Sequence, residues 1–374
     1  MHTASTNPPT GTGPTITQRD RHLDALRAGC IAVVVLWHWV FTIVDWRGDG
    51  PHVGNPVPHI PLGWLLTWFI QPMPLFFLLG GYLHRRSLER SGSPATWVVR
   101  RLRALILPAL PLIGLFVAAL LAVGTWAPGH GYERALWLLV SPLWFLAVYI
   151  VCVTIAPLGC AAHRRHPLLA PVVLAVLAAA LDAARFGGDA GWWSWLSMIA
   201  VWALVHQLGI ALWEPATRSR RIAGLAAAGG YLVIAIAVAA GPYAPEMVGV
   251  PGKPSNFSPA TLVIAALAIA HLGVAALVRS TLVSLLERRP AVASGVEWLN
   301  TRSMRILVWH LPLWAMAWAV LAAVRFPVPA DATGLWWFTR PVWLLVPGTL
   351  LVAVLRDRRL RGTKGVDHGA APRA

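Results

Sequence analysis

Apolar stretches of about 20 residues, the length needed to cross the hydrocarbon core of a bilayer, recur along this chain from near its start to near its end. They fall at about 28–46, 62–83, 104–124, 136–158, 167–183, 192–213, 222–241, 259–279, 304–324 and 341–355, with short polar segments between them. The pattern predicts an all-α integral membrane protein of about ten transmembrane helices. The second span is interrupted by Gln71-Pro72-Met73-Pro74, where prolines break the helix and free carbonyls that need partners in a cavity or on a neighbouring helix. Gly80-Gly81 follows in the same span and permits close helix packing or an irregular turn. Residues 1–18, rich in Thr, Pro and Gly, carry no apolar period and read as a disordered tail. Residues 19–356 then form one transmembrane domain, and 357–374 a basic C-terminal tail.

Charge adds an orientation. The net charge is +16, but the mean hydropathy of +0.62 excludes a soluble nucleic-acid-binding domain, and the basic residues sit in short loops. Six of the 31 Lys and Arg residues, namely Arg47, Arg134, Arg185, Lys253, Arg325 and Arg340, fall in one set of alternate loops, and all the others fall in the opposite set and the tails. The basic side is expected to be cytoplasmic, which puts both termini there. Trp46, Trp64, Trp126, Trp192, Trp193, Trp336 and Trp337 lie near span ends and read as interfacial anchors. The first span shows no cleavage site and is expected to be a retained anchor. Cys30, Cys152 and Cys160 lie in or beside apolar spans without metal-ligand spacing, so neither a disulfide framework nor a zinc site is expected. His52, His59, His84, His163 and His166 read as loop residues, again at no ligand spacing.

Candidate chemistry is densest in the first span. Eleven residues separate Arg27 from His38, which at 100° and 1.5 Å per residue returns the two to within about 20° of one face, about 16 Å apart in depth. Asp45, seven residues on, would continue that stripe across the span. Ionisable groups at such depth are costly and usually face a cavity or a partner. The competing reading is a buried histidine bonded to a neighbouring helix, with the arginine setting topology only.

Five segments in order resemble the membrane acyltransferase-3 family. LDALRAGCIAVVVLWH, residues 23–38, is similar to the family's first-span signature of an Asp, then an Arg, ten residues and a His. LFFLLGGYL, residues 75–83, is similar to its Phe-Phe and Ser-Gly-Phe segment, with Gly80 where Ser is usual and Tyr82 where Phe is usual. Arg100-x-x-Arg103 with Leu107-Pro108, PLWFL at 142–146 and WHLPLW at 309–314 look like its remaining segments. The resemblance covers about residues 19–356. It implies an O-acyltransferase of the inner (plasma) membrane, moving an acetyl or other acyl group from acyl-CoA, with no metal, to a hydroxyl of a glycan, lipid or small molecule.

On that resemblance His38 is the candidate base, since a neutral buried imidazole accepts a hydroxyl proton. Arg27 with Arg100 and Arg103 offers planar donors to the donor's phosphates or carbonyl, and Asp24 would hold Arg27. Asp45, Tyr82, Trp144 and His310 are possible lining residues, with packing the stronger reading for Trp144 and a structural hydrogen bond an equal one for His310. At position 80 the family's serine hydroxyl is missing. Some family members carry a fused extracytoplasmic domain, and here a separate partner would supply that role if it is needed; no nucleic acid is expected as partner. The alternative function is a proton-coupled transporter or flippase of an anionic solute, which a second broken span would favour.

Overall fold

The computed structural model describes residues 20–48, 50–126, 132–188 and 191–355. The tails expected at 1–18 and 357–374 lie outside these residues. Helices dominate: α1 (Arg21–Val40), α2 (Gly63–Ile70), α3 (Met73–Glu89), α4 (Pro94–Ile106), α5 (Leu110–Trp126), α6 (Tyr132–Val140), α7 (Leu143–Arg165), α8 (Leu169–Phe186), α9 (Leu196–Arg218), α10 (Arg220–Ala240), α11 (Leu262–Leu277), α12 (Arg279–Arg288), α13 (Pro290–Ala323) and α14 (Gly334–Leu355). Among the described residues eight helices, taking α2 and α3 as one, are long and apolar enough to cross a membrane. The number rises to ten if the bent pairs α4–α5 (44°) and α11–α12 (51°) each count as one span. Each falls within or close to an apolar stretch expected from the sequence.

The first span ends earlier than its hydropathy suggests. After Val40 the chain enters a hairpin of β1 (Ile43–Arg47) and β2 (Gly50–Gly54), paired antiparallel with Asp45 opposite His52. Thr42, Ile43 and Val44 form a β-branched run that suits an extended strand better than a helix. Asp45 therefore does not continue the Arg27–His38 stripe. It is bound to Arg47 Nε at 2.6 Å in the hairpin. The final carbonyl of α1 is met from α14, where Arg340 reaches Val40 O at 3.5 Å with its guanidinium 4.0 Å above the Trp336 ring.

At the other end of α1, Asp20 caps the helix, its Oδ1 accepting from the His22 and Leu23 amides. α1 packs on α13 in the same direction. Asn300 Nδ2 donates to the Asp24 carbonyl at 2.8 Å, and Trp39 Nε1 donates to the His310 carbonyl at 2.9 Å.

The centre of the bundle is α9, flanked by α3, α7, α8, α10 and α11 and buried along most of its length. It meets α3 where glycines let backbones touch. A Cβ on Gly81 would strike the His206 carbonyl, and one on Gly209 would strike the Leu78 carbonyl. Gly230 against Ala266 and Ala270, and Gly273 against Ala223 and Ala227, bring α10 and α11 together in the same way. Small residues serve this purpose where lipid removes the hydrophobic drive for association and packing must supply it.

The expected break in the second span is present between Ile70 and Met73, and its freed carbonyl has a partner. Trp68 O would have bonded the amide that Pro72 lacks; His271 Nε2 of α11 donates to it instead, at 2.8 Å. Gln71 bridges the break, donating to Met247 O at 2.9 Å and accepting from the Met73 amide. These bonds tie the break to the 241–261 segment, which Arg185 also holds through the Pro259 and Ser255 carbonyls.

The α3–α9 crossing makes a direct prediction. Gly81→Val or Gly209→Val forces backbone apart and is expected to destabilise the purified protein by about 3 kcal/mol or more. Gly229→Ala, which meets nothing within 4 Å, is expected to leave thermal unfolding unchanged. Equal melting temperatures for all three variants would refute the crossing.

Candidate active site: two cavities joined at Phe76

Helix α1 carries its two signature residues into different cavities. The first, of about 450 Å³, lies at the basic end and is lined by Arg27, Arg86, Arg90, Arg100, Arg101, Ser87, His84, Tyr149, Gly80, Leu79, Leu83 and Phe76. Among the described residues no carboxylate lines it. Arg101 is aimed by Ser87 Oγ, which accepts from its Nη2 at 3.0 Å and from Trp97 Nε1 at 3.0 Å, while its guanidinium stacks 5.6 Å from the Trp97 ring. Its Nε is buried with no hydrogen-bond partner. Arg86 has an anion beside it already, Glu214 Oε1 at 3.8 Å from its Nη1. Guanidinium groups gathered round one cavity repel one another, a bound anion eases that repulsion, and their planar donor forks suit phosphate oxygens.

The second cavity, about 280 Å³, is apolar. His38 stands in its wall beside Val34, Trp37, Trp144 and Leu307. Hydrogen bonds set the state of the ring. Nδ1 lies 2.8 Å from the Val34 carbonyl, which only accepts, so Nδ1 carries the proton in the neutral ring and Nε2 does not. His310, fully buried behind it, follows the same logic. Its Nδ1 donates to Leu307 O at 2.9 Å, and its unprotonated Nε2 accepts from His38 Nδ1–H at 3.2 Å. The outcome is a histidine held from behind with a basic Nε2 to offer.

Phe76 lines both cavities, and its ring packs against Phe145 (5.3 Å) and Tyr149 (5.8 Å). Among the described residues it is the one lining residue the two share.

Other sequence candidates are distributed unevenly. Arg100 lines the basic cavity, whereas Arg103 is exposed and does not; Arg101, Arg86 and Arg90 stand there in its place. Asp24 lies one turn before Arg27, its carbonyl held by Asn300. Trp144 lines the apolar cavity and also packs edge-on against Phe257 (5.1 Å). Tyr82 lines neither; its hydroxyl accepts from Arg86 at 3.1 Å and its ring faces Trp213. Asp45 is in the hairpin, away from both.

The sequence reading missed a polar chain at the basic cavity. His84 was expected in a loop, but α3 continues to Glu89, so the loop shrinks to the residues between Glu89 and Pro94 and His84 is buried in helix. Its Nδ1 meets His206 Nε2 at 2.9 Å, and its Nε2 meets the Tyr149 hydroxyl at 3.4 Å. Tyr149 also explains Gly80. A Cβ at position 80 would stand 2.6 Å from the Tyr149 oxygen, so the hydroxyl at this place comes from α7 and no side chain on α3 fits beside it. A half-buried tyrosine in the middle of an apolar span gave no sequence signal for this.

A family model described as an acyltransferase domain matches residues 20–355, nearly the whole chain. The chain belongs to the acyltransferase-3 family. No curated protein and no solved structure matches it. As an acyltransferase of several apolar helices it is a multi-pass membrane enzyme, and family membership does not favour the transporter alternative.

The Gly80–Tyr149 contact is testable without an activity assay. Gly80→Ala is expected to lower stability by about 1–3 kcal/mol, the usual cost of overpacking a filled site. In a Tyr149→Phe background the same change is expected to cost less, because the nearest atom is gone. A double-mutant cycle on thermal unfolding that shows simple additivity would refute the contact.

Proposed function

We propose that this acyltransferase moves an acyl group from acyl-CoA to an acceptor hydroxyl, with His38 as general base. One observation carries the reading: a single face of α1 presents Arg27 to an arginine-lined cavity and His38 to an apolar one, and the two meet at Phe76. The diphosphate and 3′-phosphate of a coenzyme A match the five guanidinium groups of the basic cavity, of which Arg86 also stands 3.8 Å from Glu214 outside the lining. Its extended pantetheine arm suits the depth of about 16 Å between the two residues.

The chemistry then runs on residues already described. The acceptor oxygen attacks the thioester carbonyl carbon as His38 Nε2 takes the hydroxyl proton. The imidazolium that forms keeps its Nδ1–H on the Val34 carbonyl and the His310 ring. Collapse breaks the carbon–sulfur bond, and the proton on Nε2 passes to the departing thiolate, so the base is restored. His310 is a positioning residue in this scheme. In this reading the basic end faces the cytoplasm, which the excess of Lys and Arg in that set of loops supports, the enzyme sits in the inner membrane of the cell, and the acceptor approaches from the opposite side, alone or on a separate extracytoplasmic partner.

Purified protein in nanodiscs tests the scheme with acetyl-CoA. His38→Ala is expected to bind the donor as wild type does while turnover falls by about 10²–10⁴-fold. Arg27→Ala is expected to weaken donor binding by about 10-fold or more, the loss of a charged hydrogen bond. Wild-type protein that binds no acyl-CoA, or a His38→Ala variant that turns over normally, would overturn the proposal. Phe76→Trp, which thickens the partition, is expected to retain donor binding and lose turnover; loss of binding alone would put Phe76 in the donor site instead.

A further inference from the structure

The apolar cavity has a composition that speaks to what occupies it. Its wall is built from aliphatic and aromatic side chains, with Trp37, Trp144 and Phe257 as broad plates. Among the described residues, besides the two indole N–H groups and the weakly polar Cys30 thiol, polar side chains enter only as His38, Gln71 and Ser141, and Gln71 is already committed to the Met247 carbonyl and the Met73 amide. Such a wall provides for one or two hydroxyls, not for many. A glycan places a hydroxyl on nearly every carbon, and each one buried without a partner opposes binding. An apolar body is rewarded throughout the same space.

The cavity also reaches away from the donor. Val248, Gly249 and Phe257 line it, and they belong to the segment that follows α10. α10 starts at Arg220 on the basic side and runs across, so that segment lies at the far end of the bundle from the arginines. An occupant arriving there reaches His38 without passing Phe76, whereas the donor's acyl group comes past Phe76.

We infer that this cavity is the acceptor site, and that the acceptor is an amphiphilic alcohol with an isoprenoid or long-chain apolar body and a single reactive hydroxyl, as opposed to a polyhydroxylated glycan. The inference rests on His38 being the base of the proposed transfer. The body lies among Trp37, Trp144 and Phe257, and the hydroxyl points to His38 Nε2.

Two measurements on the full chain in nanodiscs decide it. In the first, a farnesol analogue carrying a diazirine is photolysed with the protein and the labelled peptides are mapped. Labels are expected within 71–76, 141–146 and 248–257, at least 10-fold reduced by excess farnesol and unaffected by methyl glucoside. In the second, acetyl-CoA is supplied with farnesol or methyl glucoside, and acetyl farnesol is expected as the main ester. Labels confined to lipid-facing helices and not competed, or glucoside acetylated in preference to farnesol, would overturn the inference. Labels competed by palmitoyl-CoA but not by farnesol would also overturn it, since the cavity would then hold the donor's acyl chain. If acetyl-CoA is not consumed at all, the donor reading fails by itself, and the labelling still decides whether an amphiphilic alcohol occupies the cavity.

Discussion

Backbone contact between α3 and α9 is the constraint on which the rest of this enzyme depends. Two glycines, Gly81 and Gly209, remove the Cβ atoms that would hold the helices apart. The closeness is transmitted along both helices. It sets Phe77 against Trp202 at 4.6 Å and His84 against His206 at 2.9 Å, and it carries Phe76, on the same helix, to the boundary between the cavities. Without a hydrophobic drive between helices in lipid, such an approach gains dispersion contacts over the whole crossing. One added methyl at either glycine acts on every group downstream of it.

A second registration fixes the chemistry. α1 and α13 run in parallel and are pinned at both levels, by Asn300 on the Asp24 carbonyl and by Trp39 on the His310 carbonyl. Between those pins the rings of His38 and His310 meet. The Val34 carbonyl and the His310 ring share one proton donor on His38, so the ring can neither swing nor change tautomer without losing both bonds. Such preorganisation is what a general base requires, because the geometry is set before substrate arrives.

The two cavities differ as their tasks in an acyltransfer would require. One gathers positive charge with unspent donors, such as Arg101 Nε, and the other is walled mainly by apolar side chains, with His38, Gln71 and Ser141 among them. An aromatic partition at Phe76, backed by Phe145 and Tyr149, keeps them distinct. In the proposed transfer, that separation would limit water at the reacting carbonyl, where it would compete with an acceptor hydroxyl.

Hydropathy alone determined that the chain is a bundle of membrane-length helices and where nearly all of them lie, because the bilayer makes apolar length an obligatory requirement. It also located the break at Gln71-Pro72, and the eleven-residue spacing placed Arg27 and His38 on one face, since helix geometry within one element is periodic. It failed where the answer lay between elements or at their ends. The first span stops at Val40 because a β-branched run and a cap from Arg340 end it, so Asp45 left the stripe. Arg103 faces outward while Arg101 faces in, a choice that depends on how α4 rolls against α7. The Tyr149 hydroxyl fills the space beside Gly80 on α3, and His206 and His271 find their partners 122 and 203 residues away in the chain. Contacts of that kind have no period to read, and only the packing of the helices decides them.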